Sequence, residues 1–507
     1  MKHINNVCLL LLLIITGCNS EVNVSPVVSA EELAEQFLNP PASAKPHTWW
    51  HWMNGNISKE GITADLEAMA KAGIGGAQIF NVGEGIPPGA IRFNSPEWID
   101  MVKHAHIEAK RLGLELCIHN CAGWSSSGGP WNTPENSMKI IVTSEMQVKG
   151  PAKVTDIPSQ PKANLGFYRD IVVLAFPTPA AGDAKTKIQN LNSKIFINRS
   201  VIDYEKPEEL PIEMVIRQDA VIDLTGKFET NGWNAPEGDW TIMRIGYTSN
   251  GRKNHPAQPE GTGLECDKLS KEAVKAHWDG HVALILDAIK ESGISKDAGI
   301  NNVLIDSYEV GTQNWTDGLE KEFKKRAGYS ITKFMPVFAG RIVGSSEITE
   351  RFLWDFRRIV ADMFAEAYSE YFGELAHKEG LLYSSEPYGN CPSDDIQYGS
   401  FCDIPMGEFW QNSGHSVDMG NAKLAASIAH VYGKKFVGAE AFTAAPDGGK
   451  WLKDPYAMKA QGDAGYCGGI NRMIYHRYAH QPWTEPTRYP GMTMGQWGTH
   501  FERTLTW

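Results

Sequence analysis

Segments of strand character alternate along this chain with segments of helical periodicity, and no other sequence feature limits the possible folds as strongly. Such alternation produces a parallel sheet, because each helix returns the chain to the edge where the previous strand began. Eight parallel strands are the number in a closed (β/α)8 barrel. The predicted barrel strands are residues 49–55, 75–82, 114–121, 302–310, 381–389, 404–410, 436–443 and 472–480.

The intervening helices carry clear boundary signals. Ser95 and Pro96 open one helix and Gly113 closes it, and Ser58 precedes another. An open doubly wound sheet is the alternative, but no glycine-rich phosphate loop follows the first strand. We therefore favour the (β/α)8 barrel, an α/β fold of the TIM-barrel type. The predicted helices are residues 57–73, 95–113, 267–292, 318–327, 347–379, 418–432 and 455–465.

The alternation stops between residues 138 and 250, where the strong signals are strands only. The gaps between these strands are rich in Pro, Gly, Asn and Lys, which is typical of turns. We predict an all-β insertion after strand three, folded as a small sandwich. The barrel is then divided into residues 46–137 and 251–507.

Residues 1–18 have the features of a bacterial lipoprotein signal peptide. Lys2 precedes the apolar run Val7–Ile15, which is too short to span a bilayer and ends at Thr16-Gly17-Cys18. We predict lipidation of Cys18, a tether over residues 19–45, and a lipid-anchored protein of the outer membrane, cell surface or periplasm. An ordinary secretory signal with an incidental Cys is the alternative.

The acidic balance of the chain bears on its partners. The sequence has 48 Lys and Arg against 60 Asp and Glu, a net charge of −12. Such a chain has no overall positive charge for phosphate backbones, so we expect no nucleic-acid partner and only a lipid anchor to the membrane. No CxxC pair is present, so the six Cys after Cys18 are interpreted mainly as buried thiols.

Polar side chains accumulate at the ends of the predicted strands. In a (β/α)8 barrel the active site lies at the carboxyl ends of the strands. Carboxylates late in apolar strands cost free energy unless they are paired or used, so five at one rim indicate a site. The candidate substrate-binding residues are His51, Asn54, His119, Asn120, Tyr308, Glu386, Trp410 and His476, beside the carboxylates Asp306, Glu309, Glu408 and Glu440.

Two of these carboxylates, Glu309 and Glu440, follow strands four and seven, which lie on opposite sides of an eight-stranded ring. A pair of facing carboxylates can cleave a glycosidic bond, one as acid and the other as base or nucleophile. A nearby like charge such as Asp306 would keep one of them protonated. Rim aromatics could stack on sugar faces, although packing inside the barrel accounts equally well for about half of them.

The remaining carboxylates, Asp306, Glu386 and Glu408, exceed what two-carboxylate chemistry needs. Oxygen donors without a His or Cys cluster favour a hard cation such as calcium. Hydrogen bonding to sugar hydroxyls is an equally good interpretation of the residues alone.

Long motifs of the chain resemble glycoside hydrolase family 106, the α-L-rhamnosidases. They are WWHWMNGNISKEGITADLEAMAKAGIGGAQIFNV, CIHNCAGWSSSGGPW, LIDSYEVG, VGAEAFT and GGINRMIYHRYAHQPW. The resemblance covers about residues 40–507 and implies a calcium-dependent, inverting enzyme on a (β/α)8 barrel, acting on rhamnose-containing glycans or pectic polysaccharides. It implies Glu309 as the acid, Glu440 as the base, and Glu408 with Asp306 as calcium ligands.

Two other functions remain open. One is a retaining glycosidase of another barrel clan, although Tyr308 occupies the position where those enzymes carry Asn before the acid. The other is a surface lipoprotein that binds glycans without cleaving them. Family members are longer, with further β-rich domains, so we expect a chain truncated within GQWGTHFERTLTW.

Overall fold

The computed structural model describes most of the chain from residue 28 onward. Cys18 and the signal segment lie outside the described residues, as does the terminal motif of residues 495–507, so the lipid anchor stays a prediction. No helix of the described residues is long and apolar enough to cross a membrane. The described ranges are 28–83, 85–180, 190–197, 208–291, 299–389, 392–410, 419–444 and 455–484.

The chain divides into two compact units, one ending at Lys45 and the other beginning at Pro46. The described part of the first unit contains helix α1, Ala30–Leu38, within the predicted tether. Ser29 caps it, because its hydroxyl accepts a hydrogen bond from the Glu32 amide at 3.1 Å. Part of the predicted tether is therefore helical.

The second unit contains a closed barrel of eight parallel strands, as predicted. Each strand pairs with its neighbour along the chain, and the last pairs with the first. All eight predicted segments overlap a barrel strand, although the fourth and fifth strands end before the polar residues assigned to them. The barrel strands are β1 (His47–Met53), β2 (Gly76–Val82), β3 (Glu115–His119), β8 (Gly299–Ile305), β9 (Leu382–Ser385), β10 (Ile404–Trp410), β11 (Gly438–Thr443) and β12 (Arg472–Ala479), with β4–β7 in the insertion.

Two helices begin at the capping residues that the sequence predicted, Ser58 and Ser95. Ser95 caps one helix through the Trp98 amide at 3.2 Å, and Gly113 closes it in the left-handed conformation at φ 70°. The helices of this unit are α2 (Lys59–Lys71), α3 (Pro96–Leu112), α4 (Leu191–Ile195), α5 (Lys271–Gly280), α6 (Val282–Glu291), α7 (Leu319–Ala327), α8 (Ser346–Phe364), α9 (Tyr371–Lys378), α10 (Asp395–Ser400), α11 (Gly420–Tyr432) and α12 (Pro455–Gly468).

Two predicted long helices differ from single α-helices. Residues 267–292 form α5 and α6, which meet at His281 because the Trp131 ring lies against Gly280 and stacks on His281 at 5.9 Å. Residues 346–378 are continuous, but Ala365–Glu370 form a π-helical turn between α8 and α9.

The insertion is one antiparallel sheet in its described part, so the predicted sandwich is wrong. Its strands are β4 (Lys139–Val154), β5 (Arg169–Pro177), β6 (Ile222–Asp223) and β7 (Trp233–Ser249), in the order β4-β7-β5-β6. One face joins the main core with α8 and the other buries its own small cluster. No second sheet is needed to bury the apolar face that joins the main core, because helices of the barrel cover that face. The short helix α4 lies within the same segment.

The cysteines agree in part with their interpretation as buried thiols. Cys117, Cys121, Cys266 and Cys402 are buried and free, whereas Cys467 is exposed. Cys391 lies outside the described residues.

Candidate active site

A cavity of about 240 Å³ opens at the carboxyl end of the barrel. All eight barrel strands, or the loops that follow them, contribute to its wall. The lining residues are Trp49, His51, Phe80, Trp124, Asp306, Ser307, Glu309, Glu386, Glu408, Trp410, Glu440, Thr443 and His476.

The cavity combines both proposed catalytic residues with every additional carboxylate that the sequence indicated. Glu408 and Glu440 are direct partners in the register of β10 and β11, so their side chains leave the same face of the barrel side by side. Glu386 follows β9 directly, and its amide donates to the Ile305 carbonyl at 3.0 Å. Glu309 lies in the loop after β8.

The clustered carboxylates raise one another's pKa. Burial raises the pKa of Asp306 to about 7, with further contributions from Glu309 and Glu408, while a hydrogen bond with the Glu386 carboxyl opposes the rise. Burial, followed by Asp306 and Glu440, raises the pKa of Glu386 well above its ordinary value. Buried like charges cannot all ionise together, so the cavity holds protons near neutral pH.

Glu440 is protonated more readily than an ordinary Glu for the same reasons. Burial is the first cause of its raised pKa, and the charge of Glu408 is the second. The Thr443 hydroxyl donates a short hydrogen bond to Glu440 Oε1 and opposes this rise. On the other side of the cavity, the Ser307 hydroxyl donates to Glu309 Oε1 at 3.2 Å.

Hydrogen bonds also fix Glu408 and Glu386. The Trp410 indole N–H donates to Glu408 Oε2 at 2.9 Å, and Asn421 Nδ2 donates to Oε1 at 3.3 Å. The Tyr388 hydroxyl donates to Glu386 Oε2 at 2.5 Å. Each carboxylate oxygen can accept more than one bond, so these contacts orient the groups without exhausting them.

Two histidines, His51 on β1 and His476 on β12, also line the cavity. His51 stacks on Phe80 at 5.0 Å between ring centroids, and the His476 ring meets it edge-on at 5.4 Å. Burial lowers the pKa of His51 well below 6.5, with Arg477 and His476 adding to the effect. Neutral His51 can both donate and accept hydrogen bonds, as sugar hydroxyls require.

A second cavity of about 340 Å³ shares part of this wall. Ser307, Glu309 and Glu408 line both cavities, which places the Glu309 loop between them. The second cavity is also lined by Tyr308, Gly311, Tyr388 and Gly389. Tyr308, a predicted substrate-binding residue, therefore borders this second space.

Three other predicted substrate-binding residues are absent from the lining of the main cavity and make structural contacts instead. Asn54, at φ 45° in a turn, donates to the Ile86 carbonyl at 2.5 Å. Asn120 donates to the Ser126 carbonyl at 3.0 Å, and His119 Nδ1 lies 2.8 Å from the Cys121 carbonyl oxygen. His119 still faces the site, because its Nε2 is 3.9 Å from Asp306 Oδ2.

The rim aromatics divide between the site and the core. Trp49, Trp124 and Trp410 line the cavity, whereas Trp50 and Trp52 are fully buried in the main core. His480 is buried, and its Nδ1 lies 2.7 Å from Asp65 Oδ2.

Sequence reasoning did not identify Phe80, Ser307 or Thr443. Ser307 and Thr443 occupy strand ends beside the two candidate catalytic residues, and that proximity is the signal that could have identified them. Phe80 is an apolar residue in an apolar strand, and nothing in the sequence distinguishes it from core.

The donor set of the cavity is chemically suited to a hard cation, since carboxylates dominate it. Among the described residues, however, no three carboxylate, imidazole or thiol groups are grouped so that they could hold a metal ion.

Comparison with known proteins establishes the family. The sequence model of glycoside hydrolase family 106, described as alpha-L-rhamnosidase, matches residues 38–507. The chain belongs to glycoside hydrolase family 106. The strand-end motifs and the cavity carboxylates described above lie inside this match.

Two relatives illustrate the range of names attached to similar chains. A rhamnosidase from Novosphingobium sp. PP1Y superposes with a TM-score of 0.79 at 28% identity, covering 89% of this chain and 56% of that protein. A curated protein of Formosa agariphila named "Putative beta-glucuronidase" is 45% identical over 96% of this chain and 41% of its own length. This family 106 chain thus spans about half the length of the proteins it matches.

Proposed function

We propose that the chain is the catalytic barrel of a glycoside hydrolase that releases L-rhamnose from a glycan by an inverting mechanism. The observation that carries the proposal is the single cavity that holds Glu309 and Glu440 in a family 106 barrel. Glu309 would donate its proton to the glycosidic oxygen as the bond to the anomeric carbon breaks. Glu440 would take a proton from the water that attacks that carbon from the other face.

The hydroxyl partners of the two glutamates support these roles. Ser307 donates to one oxygen of Glu309, which leaves the other oxygen to carry the transferable proton. The raised pKa of Glu440 makes it a stronger base once it is ionised, and Thr443 stabilises that ionised form.

The composition of the cavity favours a neutral sugar over a uronic acid. None of the described residues that line it is Lys or Arg, and five are Asp or Glu. A glucuronate carboxylate placed among five carboxylates would be repelled, and proteins normally recognise carboxylates with Arg or Lys. Rhamnose carries a methyl group instead, and Trp49 and Phe80 offer apolar surface for it.

We also propose a calcium ion held by Glu408 and Asp306, with water and sugar hydroxyls completing its shell. Bound calcium would neutralise part of their charge and bind sugar hydroxyls. The family resemblance and the carboxylate-rich lining of the cavity support this proposal, and Glu408 is already oriented by Trp410 and Asn421.

The first prediction tests the sugar, the catalytic pair and the metal in one assay. The protein should hydrolyse 4-nitrophenyl α-L-rhamnoside and not the matching β-D-glucuronide, and NMR should show the β-anomer as the first product. On methyl α-L-rhamnoside, whose methoxide leaving group needs the acid, Glu309→Gln and Glu440→Gln should each lower kcat by roughly 10²–10⁴-fold, the range of general acid–base catalysis. Chelation should lower the rate, and calcium should restore it.

The exposed insertion residue Glu237 provides the control, since Glu237→Gln removes one charge from a residue outside the lining of the candidate active-site cavity. It should leave kcat unchanged. Release of the α-anomer first would show a retaining mechanism. Hydrolysis of the glucuronide would mean that the substrate sugar is glucuronic acid and not rhamnose. Binding of rhamnosides without hydrolysis would favour a glycan-binding protein.

A further inference from the structure

Behind the Glu309 loop lies a buried ion pair whose own two residues line neither cavity. Lys268 Nζ is 2.8 Å from Glu265 Oε2, and both side chains are completely buried. Glu265 Oε2 also accepts hydrogen bonds from the Ser127 amide at 3.0 Å and hydroxyl at 2.7 Å. A charge pair in such a place is costly to desolvate, so its retention needs an explanation.

The Lys268 ammonium lies between two aromatic rings. It is 5.5 Å from the ring centre of Tyr308 and 5.3 Å from that of Tyr368. Both distances are within the range of cation–π attraction, which strengthens when the cation is shielded from water. Tyr368 belongs to the π-helical turn between α8 and α9, and its hydroxyl is anchored to the Ser126 carbonyl at 2.6 Å.

Tyr308 connects this pair to the catalytic loop, because it stands between Ser307 and Glu309 in the sequence. Its amide donates to the Tyr388 carbonyl at 3.1 Å, and its ring packs edge-on against Phe364 at 5.9 Å. Gly389 approaches so closely that a Cβ there would lie 2.4 Å from the Tyr308 carbonyl oxygen. The backbone of Tyr308 is therefore fixed by Tyr388 and Gly389, and its ring by Phe364.

We infer that Lys268 is a positioning residue for Glu309, acting through the Tyr308 ring that it contacts. The buried ammonium holds the ring, the ring fixes the backbone of the loop, and the loop aims Glu309 between the two cavities. This inference rests on the proposed role of Glu309 as the acid, but not on the identity of the sugar.

A nearby ion pair supplies a matched control. Lys139 Nζ is 2.7 Å from Asp267 Oδ2, and both side chains are again almost completely buried. Asp267 keeps other donors, including the Thr316 hydroxyl at 2.7 Å, as Glu265 keeps Ser127. Lys139 Nζ contacts Asp267 and, at 3.3 Å, the Ser137 carbonyl, so its loss should weaken the fold without redirecting Glu309.

The test compares leaving groups that differ in their need for a proton. A 4-nitrophenolate leaves without protonation, whereas a methoxide needs the acid. Lys268→Gln keeps a donor for Glu265 but removes the charge under Tyr308. We expect it to lower kcat/KM roughly 10–100-fold for methyl glycosides and less than about threefold for 4-nitrophenyl glycosides.

The quantity compared is the ratio of kcat/KM for the methyl glycoside to kcat/KM for the 4-nitrophenyl glycoside. Lys139→Gln should lower both values by the same factor and leave this ratio unchanged. Lys268→Arg should restore the wild-type ratio because it keeps the cation. Thermal unfolding of each variant checks the fold, and Lys268→Met replaces Lys268→Gln if the latter does not unfold cooperatively. Each aglycone is prepared on rhamnose and on glucuronic acid, and the ratio is measured on the sugar that the wild type cleaves. A ratio in Lys268→Gln equal to that of the wild type would overturn the inference, whichever sugar is cleaved.

Discussion

At the scale of single residues, the hydroxyl of Thr443 favours the ionised form of Glu440. It donates a hydrogen bond to the carboxylate form, and that bond opposes the rise in pKa caused by burial and by Glu408. Removing the bond should raise the pKa of Glu440 further. A base must be ionised to act, so the rate should then begin to rise only at higher pH.

We therefore predict that Thr443→Val moves the acid limb of the kcat/KM profile to higher pH and leaves the rate above that limb nearly unchanged. Thr443→Ser keeps the hydroxyl and should follow the wild-type profile. Superimposable profiles for Thr443→Val and wild type would mean that Thr443 does not act on the base.

The residue scale also shows what the sequence can and cannot predict. Glu309 and Glu440 stand out in the sequence because carboxylates in or just after apolar strands are conspicuous, and both line the cavity. Asn54, His119 and Asn120 occupy equally conspicuous strand ends, but their side chains bond to nearby backbone atoms. Position in a strand does not specify the rotamer, so it cannot separate a substrate ligand from a turn-stabilising residue.

At the scale of secondary structure elements, one close contact breaks a predicted helix. A Cβ on Gly280 would lie 2.2 Å from Trp131 Cγ, so the ring occupies the space that a side chain would need. We predict that Gly280→Ala lowers the free energy of unfolding by about 1–3 kcal/mol, as overpacking usually does. This exceeds the helix-propensity gain of about 1 kcal/mol for Ala over Gly. Urea denaturation would measure it.

Gly468 provides the comparison, because it also ends a helix but has room for a methyl group. A Cβ there would meet its nearest neighbour, Ala422 Cβ, at an ordinary 3.6 Å. Gly468→Ala should be neutral or slightly stabilising. If both substitutions have the same effect, the Trp131 contact is not what divides α5 from α6.

Element boundaries were predictable where local chemistry sets them. Ser58 and Ser95 cap their helices as expected, since a cap depends on residues within one turn. The insertion was misjudged because its sheet shares the core of α8, a contact between residues distant in sequence. Alternating patterns predict a covered face without showing which element covers it.

At the scale of the whole molecule, two sets of buried groups make stability depend on pH in opposite directions. Burial lowers the pKa of His47, His277 and His281 to about 3 and that of His119 to about 4, and the pKa of His51 also lies well below 6.5. Their unfolded forms bind protons below about pH 6.5. The stability that these histidines contribute is complete above that value and is lost as the pH falls towards 4 and 3.

The cavity carboxyls act in the reverse sense. Asp306, with a pKa of about 7, binds a proton in the folded state that its unfolded form releases near pH 4, and Glu386 and Glu440 are shifted in the same direction. Their contribution is complete at low pH and is lost as the pH rises through the folded pKa. Five histidines oppose three carboxyls, so near pH 5.5 the unfolded chain should bind more protons than the folded one.

We predict that the free energy of unfolding is greatest near neutral pH and declines on the acid side. His47→Gln should reduce the slope between pH 5 and 6 by about 1.4 kcal/mol per pH unit, the contribution of one proton. His430→Gln, which replaces an exposed histidine on α11, is the comparison for loss of a histidine at the surface. Denaturant titrations at half-unit pH intervals would measure both. Equal slopes in the two variants would mean that His47 takes up no extra proton on unfolding, and the acid limb would then have to originate from the other buried groups.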